Sequence, residues 1–174
     1  IPVMHFIAAP FGNYIKRKDA ISVTGTWTVH PRPGRLLQII KTLRYTSTGW
    51  RNQLGLRNPG ILHALIKHKT EDVLSVANLE PRDWYILHDL VSKRYSVEVN
   101  ISCPNVDHNP DILDGIHLWT ETKRPWCIVK VPPTIENEFI DILVDLGYNQ
   151  IMITFKQIIF GVILFFLIFY LFYI

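Results

Sequence analysis

The chain has 174 residues, of which 48% are hydrophobic, with a mean hydropathy of +0.15 and a net charge of +3. That length fits one domain with a real core, and acids and bases are interspersed, with no basic run or aromatic–basic interleaving that would point to a nucleic-acid partner. Two cysteines, Cys103 and Cys127, do not make a disulfide framework and fit a reducing compartment. The chain opens directly on an apolar run, without a charged leader or cleavage site that would mark a targeting peptide.

That first run, Val3 to Ala9, reads as a buried strand. Ala8, Ala9, Pro10 and Gly12 follow, small or turn-forming residues that let a flat ring approach the backbone. Ala20 to Thr26 is a second strand, rich in β-branched residues, and it runs into Thr28-Val29-His30-Pro31-Arg32-Pro33-Gly34-Arg35. Leu36 to Tyr45 fits a short amphipathic helix. In Gly49 to Gly60, Asn58 and Pro59 form a helix-start signal, with helix expected over Ile61 to His68. His63 and His68 are five apart, share no face, and read as surface or rim residues, not metal ligands. Asp72 to Leu79 is a third strand. Glu80 to about Arg94 is a helix with Trp84, Leu87 and Val91 on one stripe.

Val97, Val99 and Ile101 alternate with Glu98, Asn100 and Ser102, the period-two pattern of a fourth strand. Pro104 stops the ladder. Asn100, Cys103 and Asn105 therefore lie at or just past the strand's C-terminal end, where catalytic groups sit in a parallel α/β barrel. Asn offers both a donor and an acceptor to a planar, imide-like ligand, and a thiol beside it can move a proton. Taken alone, Cys103 also reads as a small buried hydrophobe. Ile112 to Thr122 supplies a helix, and Trp126 to Val131 a fifth strand ending at Pro132-Pro133. Lys130 stands in an apolar run, where a buried cation needs a partner. Cys127 lies early in that strand, as inert core. A helix follows from Thr134, closed by Gly147, and Tyr148 to Thr154 is a sixth strand. Six strands alternate with five helices, the signature of a parallel α/β fold, most simply a (βα)8 barrel.

The stretch Val97-Glu98-Val99-Asn100-Ile101-Ser102-Cys103-Pro104-Asn105 resembles the N-x-S-C-P-N segment of dihydroorotate dehydrogenases, FMN enzymes of pyrimidine synthesis; dihydropyrimidine dehydrogenases carry a relative of it. Gly49 to Gly60 resembles that family's Asn-x-x-Gly-Leu/Phe-x-Asn-x-Gly loop, and Gly25 to Gly34 its Gly-Ser/Thr-x-Thr-x-x-Pro-x-Pro segment. The resemblance implies Cys103 as the catalytic base of a Cys-type member. It implies Asn52, Leu54, Gly55, Leu56, Asn100 and Asn105 around the pyrimidine. Ala8, Ala9, Gly25, Thr26, Asn100 and Lys130 would contact FMN, with the Lys130 cation stabilising the reduced flavin. No metal is implied. In the implied reaction Cys103 takes the C5 proton of dihydroorotate as C6 gives up a hydride, yielding orotate. Two departures stand out. Pro10 occupies a position where the family often has Gly, and Gly25 one where Cys-base members often have Lys.

The resemblance stops near Met152. Ile158 to Ile174 carries no charge, and a hydrophobic C-terminal helix is expected there, at the lower length limit for spanning a membrane. Lys156 would then face the cytosol. Loss of reading frame or gene truncation is the competing account of this tail, and a helix buried in a core a third. The expected organisation is an incomplete TIM-type barrel of about six strands over residues 1–155, then a tail over 156–174. The loops after strands seven and eight, which commonly hold phosphate, are missing from it. Its two open sheet edges favour pairing with another copy or a completing subunit. The expected location is cytoplasmic, or membrane-anchored with the barrel facing the cytosol. The alternatives to dihydroorotate oxidation are a reductase of free pyrimidines and a non-catalytic, membrane-anchored remnant or subunit.

Overall fold

The computed structural model describes residues 4–47, 49–51, 53–102, 114–148 and 150–153. In chain order its elements are β1 (His5–Ile7), a 3-10 turn (Phe11–Asn13), β2 (Ala20–Trp27), α1 (Arg35–Thr42), β3 (Arg44–Thr46), β4 (Gly49–Arg51), α2 (Ile61–Lys67), β5 (Val73–Val76), α3 (Asp83–Leu90), β6 (Ser96–Asn100), α4 (Leu118–Glu121), β7 (Cys127–Val131), α5 (Asn137–Asp145) and β8 (Gln150–Ile153). The sheet order is β1-β2-β5-β6-β7-β8, and every neighbouring pair is parallel. β3 and β4 form a separate antiparallel hairpin.

The central strands are buried on both faces because both faces are covered, as parallel sheets require. One face carries Leu74, Val76, Val97, Val99, Val129 and Val131, packed with Trp84, Leu87 and Trp119 from the helices. The other carries Val23, Val73 and Ile128, with Phe6, Ala9 and Met152 against them. That second face is curved. Phe6 of β1 and Trp126, just before β7, have ring centroids 5.4 Å apart, although three strands separate β1 from β7 in the sheet. Strands spaced about 4.8 Å apart in a flat sheet would hold them roughly 19 Å from each other. The six strands are thus part of a barrel wall, with Val23, Val73 and Ile128 inside it.

Gly12 sits where only glycine fits between the first two strands. A Cβ there would collide with the backbone of Val23 and lie 2.8 Å from the Ile7 carbonyl. On the helical side, the expected Trp84–Leu87–Val91 stripe is buried. Trp84 meets Trp119 edge to face at 6.3 Å, and Arg124 lies 5.1 Å over the Trp119 ring while donating to the Ser92 carbonyl.

Three expectations are corrected. The helix over Leu36 to Tyr45 ends at Thr42, and Arg44–Thr46 pairs instead with Gly49–Arg51. α2 starts at Ile61 with Gly60 as its cap; Asn58 caps the turn before it, accepting the Gly60 N–H at 2.8 Å. The described part of the Ile112–Thr122 helix is one turn, Leu118–Glu121, after a run of turns over 114–117. His68 stands at the rim of a cleft, half-buried, with both ring nitrogens out of solvent and without a hydrogen-bond partner among the described residues, edge to face with Tyr95 at 4.4 Å. The tail after residue 153 lies outside the described residues, and so does the membrane-helix expectation. Among the described residues no helix is long and apolar enough to cross a membrane.

Candidate active site

Because the strands are parallel, their C-terminal ends share one edge, and β2, β5, β6 and β7 each deliver a polar side chain near it. Alternation along β6 puts Glu98 and Asn100 on the inner face while Val97 and Val99 face the helices. The register pairs Ser75 with Glu98, and Asn100 with Lys130. The result is one connected network. Lys130 Nζ lies 3.6 Å from Glu98 Oε1, and Ser75 Oγ donates to the same oxygen at 2.6 Å. Ser75 Oγ is 2.8 Å from Thr26 Oγ1, which accepts from Asn100 Nδ2 at 2.8 Å. Asn100 Oδ1 accepts the Ser102 N–H at 3.0 Å and its hydroxyl at 2.8 Å. Glu98 is fully buried, and Lys130 and Asn100 are nearly so.

The network forms one wall of a cleft of about 1650 Å³, lined also by Ala9, Gly25, Leu54 and Leu56. The cleft runs on to His68 and Asp72, before the start of β5, so only part of this volume lies over the strand ends.

Gly25 is held from both sides. Asn13 Nδ2 donates to its carbonyl at 3.1 Å and Asn13 Oδ1 accepts its N–H at 2.9 Å. Its φ is +115°, and a Cβ would stand 2.6 Å from the Ser75 carbonyl. The lysine that the resemblance leads one to expect at this position has no room in this conformation.

The loop carrying Leu54, Gly55 and Leu56 is stitched to the segment after β2. Arg32 donates to the Gly55 carbonyl, and Arg32 and Asn58 exchange backbone hydrogen bonds. Asn58 Nδ2 donates to Thr28 Oγ1 at 3.0 Å and to the Leu56 carbonyl at 2.6 Å. Leu56 is held at φ +57°, a conformation that is rare and costly for a non-glycine residue.

Of the expected site residues, Ala9, Gly25, Thr26, Leu54, Leu56, Asn100 and Lys130 line one cleft. Ala8 and Gly55 do not line it; their carbonyls are engaged with Gly12 N–H and Arg32. Cys103, Asn105 and Asn52 lie outside the described residues. Cys127 is buried, and burial pushes its thiol up to about 12, as befits core. No group of three or more metal-ligating side chains occurs among the described residues. Sequence reasoning missed Glu98, Ser75, Ser102 and Asn13. For Glu98 and Ser102 the signal was present, since both alternate in phase with Asn100. For Ser75 and Asn13 only the three-dimensional pairing shows it.

A curled parallel α/β sheet with a buried cation and a carboxamide at its C-terminal strand ends defines a barrel-type α/β protein with a polar-walled cleft at those ends. No protein-family model matches the chain. It is similar to curated proteins that share one activity in their names. The catalytic subunit of dihydroorotate dehydrogenase B (NAD(+)) of Fusobacterium nucleatum is 37% identical over 86 residues, covering 44% of this chain and 27% of that protein. A protein of Pediococcus pentosaceus, provisionally named dihydroorotate dehydrogenase A (fumarate), is 37% identical over 127 residues, covering 60% of this chain and 40% of its own length. The Thermotoga petrophila catalytic subunit of dihydroorotate dehydrogenase B (NAD(+)) is 36% identical over 112 residues, 56% of this chain and 39% of that protein. The chain thus spans two fifths or less of the length of each of these relatives.

Proposed function

We propose that the chain carries the pyrimidine and flavin-ring side of a dihydroorotate dehydrogenase-type site, with FMN as cofactor and dihydroorotate and orotate as substrate and product. The observation that carries this reading is Lys130. Its ammonium has three donors, it borders a cleft, and its one charged partner among the described residues is Glu98, at 3.6 Å. Donor capacity is left for an electron-rich ring edge. The flanking groups suit the same ligand: Asn100 supplies an amide, and Ala9 and the side-chain-free Gly25 leave room for a flat ring. The relatives' names differ in electron acceptor and agree on dihydroorotate, and the proposal rests on the part they share.

Bound FMN supplies the two-electron acceptor. The chain's own residues then divide the remaining work. Lys130 fixes a positive charge beside the ring, where negative charge builds up on reduction. Asn100, with Asn52 and Asn105, pairs with the carbonyl and N–H edges of the pyrimidine. Cys103, three residues past Asn100, takes the C5 proton. An unperturbed thiol titrates near pH 8.5, so turnover rises toward alkaline pH as the thiolate forms.

The test is conversion of dihydroorotate to orotate, followed by orotate absorbance with an artificial electron acceptor and added FMN. Turnover that falls by about a thousandfold or more in Cys103→Ala, as expected on losing a general base, supports the assignment. Equal turnover in Cys103→Ala and the parent chain would remove Cys103 from it.

A further inference from the structure

Glu98 has no part in the reaction just described, yet it is the most deeply buried charge of the network. It is 0% exposed, and its Oε2 has no hydrogen-bond partner among the described residues. A carboxylate held this far from water is costly unless it is paired and hydrogen-bonded, and its partners here are Lys130 and Ser75, both at Oε1.

The direction of each hydrogen bond follows from that pairing. Glu98 Oε1 faces the Lys130 ammonium, which can only donate, so this oxygen is an acceptor. Ser75 therefore spends its single hydroxyl proton on Glu98 Oε1. At the 2.8 Å contact with Thr26, Ser75 must then accept, so the Thr26 hydroxyl is the donor. Thr26 Oγ1 is left to accept, and it takes a proton from Asn100 Nδ2. At the other end, the Ser102 backbone N–H can only donate, which fixes the facing Asn100 atom as oxygen. Asn100 Oδ1 also receives the Ser102 hydroxyl, so its acceptor capacity is used. One N–H of Asn100 remains without a partner among the described residues.

We infer that Glu98 is a positioning residue which, through Ser75 and Thr26, locks the Asn100 amide so that it offers an N–H to the cleft. The group it receives is a carbonyl oxygen of a planar ring. A ligand presenting an N–H at that point meets a donor against a donor. This inference rests on the strand-end binding reading, and it adds which edge of the ring the site selects.

The experiment uses the whole chain with two readouts. The first needs no ligand: proton exchange of the two Asn100 side-chain amide protons, resolved by NMR with ¹⁵N-asparagine labelling. In the parent chain one proton is protected by Thr26. In Glu98→Gln the relay can run in either direction, and in Ser75→Ala it is cut. Both variants are expected to speed exchange of the protected proton by about tenfold, the equivalent of one net hydrogen bond, with the circular dichroism spectrum unchanged. The second readout is orotate affinity in the presence of FMN, expected to fall about tenfold in Glu98→Gln. Unchanged Asn100 exchange in Glu98→Gln would overturn the inference. If that variant does not fold, Ser75→Ala decides in the same way. If the parent chain binds neither FMN nor orotate, the proposed function fails, and the amide exchange still decides the role of Glu98.

Discussion

Lys130 and Glu98 face each other at 3.6 Å but are not equally buried, since Glu98 is sealed and Lys130 borders the cleft. Removing one partner of a buried pair leaves the other uncompensated, at about 3–5 kcal/mol. The cost should fall unevenly here. Lys130→Gln strands a sealed carboxylate and is expected to lower unfolding stability by about 3–5 kcal/mol. Glu98→Gln strands a cation that can still reach water and should cost less. The double replacement should recover most of the Lys130→Gln loss, as read by urea denaturation of all three variants. A second residue-scale effect concerns His68. Burial holds its imidazole below the ordinary 6.5, against the raising influence of Asp72 and Glu71. The unfolded chain therefore takes up this proton at a higher pH than the folded one. The stability tied to neutral His68 is fully present above about pH 6.5 and is lost as pH falls through the lower folded value. Melting temperatures measured from pH 7.5 down to 5 should drop, and His68→Phe, which keeps the ring against Tyr95, should make the drop shallower.

At the scale of elements, the loop over 53–60 has no regular structure and is held by side chains. Asn58 carries most of that duty, bonding Thr28, Leu56 and Gly60. Each such bond is worth about 1 kcal/mol net. Asn58→Ala is therefore expected to cost about 2–3 kcal/mol and to speed hydrogen exchange at Leu54 to Leu56 without affecting β5 to β7. Uniform exchange across the chain in this variant would contradict that localisation. The sequence exposed the elements unequally. β2, β5, β6 and β7 were legible because runs such as Cys127–Val131 are apolar and β-branched. The hairpin of Arg44–Thr46 with Gly49–Arg51 was not, since three-residue strands are too short to show a period. The start of α2 was misread because an Asn-Pro-Gly run offers two capping sites, and tertiary bonding of Asn58 to Thr28 favoured the later one. Within the site, strand alternation already placed Glu98 beside Asn100. Thr26 and Ser75, 49 residues apart, carry no mark of their pairing until the sheet brings them together.

For the molecule as a whole, the parallel strand order and the sheet's curl bring polar groups from four strands to one end of the barrel wall, above the apolar layer of Val23, Val73 and Ile128. That separation, packing at one level and donors and acceptors at the next, lets a buried cation and a carboxamide sit at the cleft without unfolding the core. We propose that this end of the wall binds a flavin ring, with Lys130 as its charged contact. The most direct measurement is a fluorescence titration of FMN with the whole chain and with the Glu98→Gln/Lys130→Gln double variant, which removes the cation without stranding a buried carboxylate. Saturable, one-to-one quenching is expected from the parent chain, with affinity about tenfold or more weaker in the double variant. No quenching by the folded parent chain, or equal affinity in both proteins, would contradict it.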